Sequence, residues 1–223
     1  SVGFFTTGNL TATVRGELDE NDRQTLQDIV DLDPNNPADL AALEAANLDQ
    51  DLDSRGRILA SGIVEAGISL AHSLKLNNGN ELQLGVSPKY IELRTFQYTE
   101  SVSGFEDDEF DGDQYQTDKS GFNLDIGAAY AFGDEKQWTA GIVVKNLIPM
   151  ELDSAASRPE LGEEVRTLEL NPMATAGIAH KSEYHVVTAE IDLTKKEAFG
   201  YEDDTQWAAL GAEFDAFRYA QLR

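Results

Sequence analysis

Cysteine is absent from the 223-residue chain. That excludes disulfides, thiolate nucleophiles and zinc–thiolate sites together, and leaves the redox compartment open. Basic residues are few, with 17 Lys and Arg against 41 Asp and Glu and a formal net charge of −24. Phosphate binding needs clustered Lys and Arg, so nucleic acid is excluded as a partner. Histidine is scarce as well, and His72, His180 and His185 share no metal-binding spacing. Neither a Gly-x-Ser-x-Gly elbow, a phosphate loop nor a dinucleotide fingerprint occurs, so the chain is not expected to be an enzyme. Long apolar runs are also missing: none reaches the roughly eighteen residues that a transmembrane helix needs. A transmembrane β-barrel stays open, because its signal is only alternation within segments of about ten residues. No basic and apolar leader precedes Ser1, so any signal peptide is expected to be removed or to lie outside the sequence.

What is present is period-two alternation, in segments whose connections alternate between long and short. A strand near Thr7 to Glu17 precedes a long acidic insertion, residues 19 to 57. The second strand, Ile58 to Leu76, turns tightly at Asn77-Asn78-Gly79-Asn80, where Asn-Gly tolerates positive φ. The third, Glu81 to Thr99, enters the acidic loop GFEDDEFDGDQYQTD at 104 to 118. The fourth, Gly121 to Phe132, turns at Gly133 to Lys136, and the fifth, Gln137 to Ile148, opens into residues 149 to 166. The sixth, Thr167 to His180, turns at Lys181 to Glu183 into the seventh, Tyr184 to Thr194. After residues 195 to 204 come an eighth, Thr205 to Phe214, and a ninth from Arg218.

An up-and-down barrel places every second connection at the same rim, and outer-membrane barrels carry short turns at one rim and long loops at the other. Most of the negative charge falls in the long connections. Within the strands, Val64, Ala66, Ile68 and Leu70 share one face, and Glu65, Gly67, Ser69 and Ala71 the other. Phe122, Leu124, Ile126, Ala128 and Tyr130 likewise oppose Asn123, Asp125, Gly127 and Ala129, and Thr188, Glu190 and Asp192 oppose Val187, Ala189, Ile191 and Leu193. A soluble β-sandwich gives the same period; loop alternation and charge partition favour the barrel. Tyr130, Phe132, Trp138, Trp207 and Tyr219 near strand ends fit interfacial girdles. The inward polar set, Glu65, Asp125, Glu190, Asp192 and Glu213, is expected to bond across strands. Inside the long insertion, helical spacing predicts Asp22 to Leu32 and Pro37 to Leu48, the second capped by Asn36.

The run SGFNLDIGAAYAFGDEKQWTAGIVVKNLIPMEL (120–152), followed by NPMATAGIAH, VVTAEIDLTKKEAF (186–199) and QWAALGAEFDAFRYAQLR, resembles the TraF-like conjugal-transfer group of bacterial outer-membrane proteins, a branch of the FadL-type fatty-acid transporter barrels. The resemblance rests on Asn146-Leu147, Asp192-Leu193-Thr194 and Leu210-Gly211-Ala212-Glu213, in that order, and covers roughly residues 58 to 223. It implies an all-β, antiparallel up-and-down transmembrane β-barrel, FadL- or porin-like and partial, with short helices in one long loop. Residues 1–223 would form a single partial domain with further strands beyond it. The implied setting is the outer membrane of a Gram-negative bacterium, in contact with lipid and lipopolysaccharide, and the implied role is transport of hydrophobic small molecules or conjugation. A soluble acidic β-rich binding domain with calcium-stabilised loops is the alternative.

Calcium is the one cofactor that the residues raise. On a calcium-loop template Asp107, Glu109 and Asp111 take positions one, three and five, Gly112 the turn, Asp113 seven and Asp118 twelve. The last ligand is normally Glu, and a solvated acidic loop explains the same letters. Asn47, Asp49, Asp51 and Asp53 form a weaker version without the glycine turn.

Overall fold

A computed structural model gives the fold and describes residues 1–30, 32, 33, 35–39, 41, 52–104, 112–216 and 220–222. Four long strands come first: β1 (Val2–Glu17), β2 (Arg55–Lys75), β3 (Glu81–Ser101) and β4 (Gln116–Phe132). Shorter ones follow: β5 (Trp138–Lys145), β6 (Met150–Asp153), β7 (Thr167–Leu170), β8 (Met173–Lys181), β9 (His185–Asp192), β10 (Ala208–Ala216) and β11 (Ala220–Leu222). One sheet of nine strands runs β1-β2-β3-β4-β5-β8-β9-β10-β11, every neighbour antiparallel, and β6 and β7 form a separate pair.

The short turns form where the backbone chemistry allows them. Gly79 sits at φ 85° and closes the β2–β3 turn by donating to the Leu76 carbonyl at 3.0 Å, while the Asn78 side chain accepts from the Asn80 N–H. Gly133 at φ 96° sits between β4 and β5, where its carbonyl accepts from the Lys136 N–H at 3.0 Å. A left-handed φ at these positions suits glycine, which has no Cβ to clash.

Helix α1 (Glu20–Val30) occupies the start of the long insertion, two residues earlier than its spacing predicts. Its buried Asp22 accepts from the Ser54 and Asp53 N–H groups at 2.5 and 3.2 Å, and so ties the helix to the end of the insertion. The second predicted helix, 37 to 48, lies largely outside the described residues.

Register fixes two faces. Thr7 pairs with Glu65, Glu65 with Ile91 and Ile91 with Gly121, so these side chains share a row on the face that carries the core; that face is the inner one. The outer face carries the opposite parity: Phe4, Leu10, Val64, Ile68, Leu84, Tyr90, Phe122, Ile126, Ile142, Ile178, Val187, Ile191 and Leu210, all substantially exposed. The apolar face is therefore turned away from the core, the reverse of a sheet packed in a sandwich.

Two expectations are corrected here. Residues 149 to 166 are not a plain rim loop, and Thr167 to His180 is not one strand. β5 ends at Lys145 because Asn146 enters the left-handed region at φ 57°. The chain then turns onto the inner face, where β6 and β7 pair as a hairpin. Pro172, which lacks an N–H for a ladder, separates β7 from β8. The buried cluster Ile91, Leu93, Met150, Leu152, Leu168 and Leu170, flanked by Ile63 and Phe199, joins this hairpin to the wall.

Candidate functional site on the inner face

Lys89 is the centre of the inner face. Its side chain is 1% exposed, and its ammonium donates to Glu65 Oε1 at 2.8 Å and to Asn146 Oδ1 at 2.7 Å and forms an ion pair with Asp125 Oδ1 at 2.8 Å. Two carboxylates and one amide oxygen thus surround a single ammonium, which has donors but no acceptor of its own. The sheet register produces this geometry: Lys89 pairs with Gly67 and Asn123, which places Glu65 and Asp125 on the diagonals. Gly67 is required beside it. A Cβ there would fall 2.7 Å from the Pro88 carbonyl oxygen and 2.8 Å from Lys89 Cβ.

Asn146 links this cluster to the hairpin. Its backbone N–H donates to Asp125 Oδ1 at 2.8 Å, and Asn123 receives the next turn, donating to the Ile148 carbonyl at 2.7 Å and accepting from the Ile148 N–H at 3.1 Å. The Asn-Leu pair thus marks the point where chain leaves the wall for the interior. Farther along the strands, Lys119 donates to the Glu151 carbonyl, Thr117 to the Asp153 carbonyl, Gln97 to the Glu164 carbonyl and Arg57 to the Gly162 carbonyl. Arg166 lies over the Tyr201 ring at 4.5 Å, and Arg15 of β1 over the same ring at 5.2 Å. The β9–β10 connection therefore reaches across to β1, which shows how strongly the sheet curls.

Between that connection, the hairpin and the β1–β2 wall a cavity of about 150 Å³ remains, lined among others by Asn9, Ser61, Leu168 and Phe199. Glu197 lies at its mouth. A hydrogen bond with Glu169 holds its carboxyl above the ordinary value; burial and the charges of Glu169 and Asp204 push the same way, while Asn171 opposes them. Asn171 donates to both acids, at 2.8 and 3.2 Å.

Of the predicted inward acids, Glu65 and Asp125 meet at Lys89. Asp192 accepts from Thr175 Oγ1 at 2.8 Å and from the Trp207 N–H at 3.1 Å. Lys89 itself was not singled out by the sequence, although its strand parity is a readable signal. The calcium-loop residues are not brought together in what is described: Asp107, Glu109 and Asp111 lie outside the described residues, Asp113 opens a short 3-10 turn, and Asp118 is a β4 residue paired with Arg94. Asp49 and Asp51 also lie outside, as does Asn47. Among the described residues no group of three His, Asp or Glu is placed to hold a metal.

The histidines are strand residues at the short-turn rim. His180 Nδ1 and His185 Nε2 are 3.2 Å apart, and both rings belong to a ladder on the outer face. It runs Tyr130–Phe132 at 5.7 Å, Phe132–Trp138 at 6.4 Å, Trp138–His180 at 4.4 Å, His180–His185 at 5.2 Å and His185–Phe214 at 6.2 Å.

A curled antiparallel meander, apolar outside and polar and partly filled inside, is the class that these features define. The family described as F plasmid transfer operon, TraF, protein matches residues 1–192, and the chain belongs to that family. No curated protein and no solved structure matches it.

Proposed function

We propose that the chain is part of the wall of a β-barrel in the outer membrane of a Gram-negative bacterium, of the FadL-type class, serving a conjugal-transfer-associated surface role without enzymatic chemistry. The observation that carries this reading is the exposed apolar outer face. In β4 the outer positions from Phe122 to Phe132 are all apolar. At about 3.4 Å per residue and a tilt of about 40°, that stretch spans about 26 Å, close to the ~25 Å apolar band of an outer-membrane barrel. Polar residues bound it above: Tyr90 donates to Ser120 at 2.6 Å, and Glu92, Arg94 and Asp118 lie beyond. The aromatic ladder bounds it below. Aromatic levels at both edges of a charge-free band are what a lipid bilayer selects.

The acidic loops would then lie at the outer rim, where divalent ions bridge them to lipopolysaccharide phosphates. Transport of a hydrophobic small molecule is the further role that the barrel class supports. A soluble binding domain would leave Phe4, Phe122 and Leu210, each more than three-quarters exposed, in water. Membrane fractionation of the full-length protein tests the reading. It is expected to stay in the membrane fraction until detergent is added and to migrate differently on gels before and after boiling. Release into the soluble fraction without detergent, with unchanged mobility, refutes it.

A further inference from the structure

The β6–β7 hairpin lies where a barrel's lumen would be. We infer that it is a resident plug that closes the long-loop half of the lumen, leaving a vestibule open only toward the short-turn rim. This inference rests on the barrel reading and adds a closed resting state to it.

The inner face is unequal along its length. Toward the short turns many of its side chains are small, with Gly85, Gly127, Ala129, Gly141, Gly177 and Thr188 bordering, together with the larger Gln83, Lys145 and Glu190, an open space of about 570 Å³. Toward the long loops the space is filled. The void left beside the hairpin is about 150 Å³.

The hairpin is fastened as a fitted part. Met150, Leu152, Leu168 and Leu170 alternate with Glu151 and Glu169, so one side of the hairpin is apolar and seats on Ile91 and Leu93, which are fully buried. Gly121 is the counterpart in the wall: a Cβ there would come within 3.2 Å of Met150 Cε. Basic side chains, scarce in this chain, gather on the same segment. Arg55, Arg57 and Lys119 of the wall donate to its backbone carbonyls, Arg158 pairs with Glu100, and Arg166 reaches the Gly200 carbonyl at 3.3 Å. Contacts thus come from β2, β3, β4 and the β9–β10 connection, which surround the hairpin on the inner side. Below it, Lys89, Glu65, Asp125 and Asn146 close the floor. A loop that merely decorated a rim would not need side chains on several strands of the wall to donate to its carbonyls.

The test uses the full-length protein in planar bilayers, beside a variant in which residues 149–170 are replaced by a short Gly-Ser linker and a second, Leu152→Asp with Leu168→Asp, that expels the hairpin by charge. Thr95→Cys, buried on the inner face, reports access through its maleimide labelling in each background, with any cysteine outside these 223 thiol-free residues replaced by serine. The expected result is no steady current and a protected thiol with the hairpin intact, and discrete current steps with loss of thiol protection in both altered proteins. Steady current from the unaltered protein overturns the plug. So do altered proteins that insert, as heat-modifiable mobility shows, yet stay silent and protected. A protein that never enters the bilayer refutes the membrane reading itself, and the plug falls with it.

Discussion

Replacing Lys89 by methionine removes the ammonium and keeps most of the stem. It leaves two carboxylates and the Asn146 amide oxygen facing one another, where each had the ammonium within 2.7 to 2.8 Å. Breaking a buried ion pair by removing one partner costs about 3–5 kcal/mol. Glu65 and Asp125 are 20% and 17% exposed, so water reaches them in part; the expected loss is therefore at the lower end, about 3 kcal/mol. With a urea slope of about 1–3 kcal/mol per molar, the unfolding midpoint falls by about 1–3 M at unchanged slope. Adding Glu65→Gln to Lys89→Met removes one of the stranded charges, so the double variant is expected to recover stability, with a coupling of about 0.5–3 kcal/mol. A loss below about 1 kcal/mol, the size of an exposed pair, would refute the claim that this ammonium organises the inner face.

Gly67→Ala gains about 0.5–1 kcal/mol in strand preference, but its Cβ meets a backbone oxygen and a strand Cβ, neither of which is free to move. A net loss of about 1–3 kcal/mol is expected in the same urea titration. Glu197→Gln tests the acid pair at the cavity. Because the folded carboxyl is held above its ordinary 4.5, the folded state binds the extra proton, and stability falls as pH rises from the ordinary value through the raised one. The variant is then more stable than the unaltered protein at neutral pH, and the advantage disappears below pH ~4.5; an advantage independent of pH would contradict the raised Glu197 carboxyl.

The long strands were legible because each has one side in contact with the core and one not, and that asymmetry writes period two into Val64–Glu65–Ala66 and Phe122–Asn123–Leu124. The first residues of β1 were missed since Phe4 and Phe5, adjacent and on opposite faces, blur the alternation. The inward turn was harder. Met150–Asp153 and Thr167–Leu170 each alternate, yet periodicity states only that a segment is a strand, not whether it joins the wall or lies across it. The information was in Asn146, whose left-handed conformation ends β5, and in Pro172, which separates the hairpin from β8. Glu65 and Asp125 could be assigned to the inner face by parity, but their shared partner required the three-strand register that brings Lys89 between them.

The central claim, that the outer face meets lipid, is tested most directly at Ile126, near the middle of the band and 41% exposed. In protein folded into lipid vesicles, Ile126→Arg is predicted to lose about 2–4 kcal/mol by urea titration, while Ser120→Arg at the rim loses about 0–1 kcal/mol. An Ile126→Arg protein within about 0.5 kcal/mol of the unaltered one, as expected for an exposed position in water, would contradict the account.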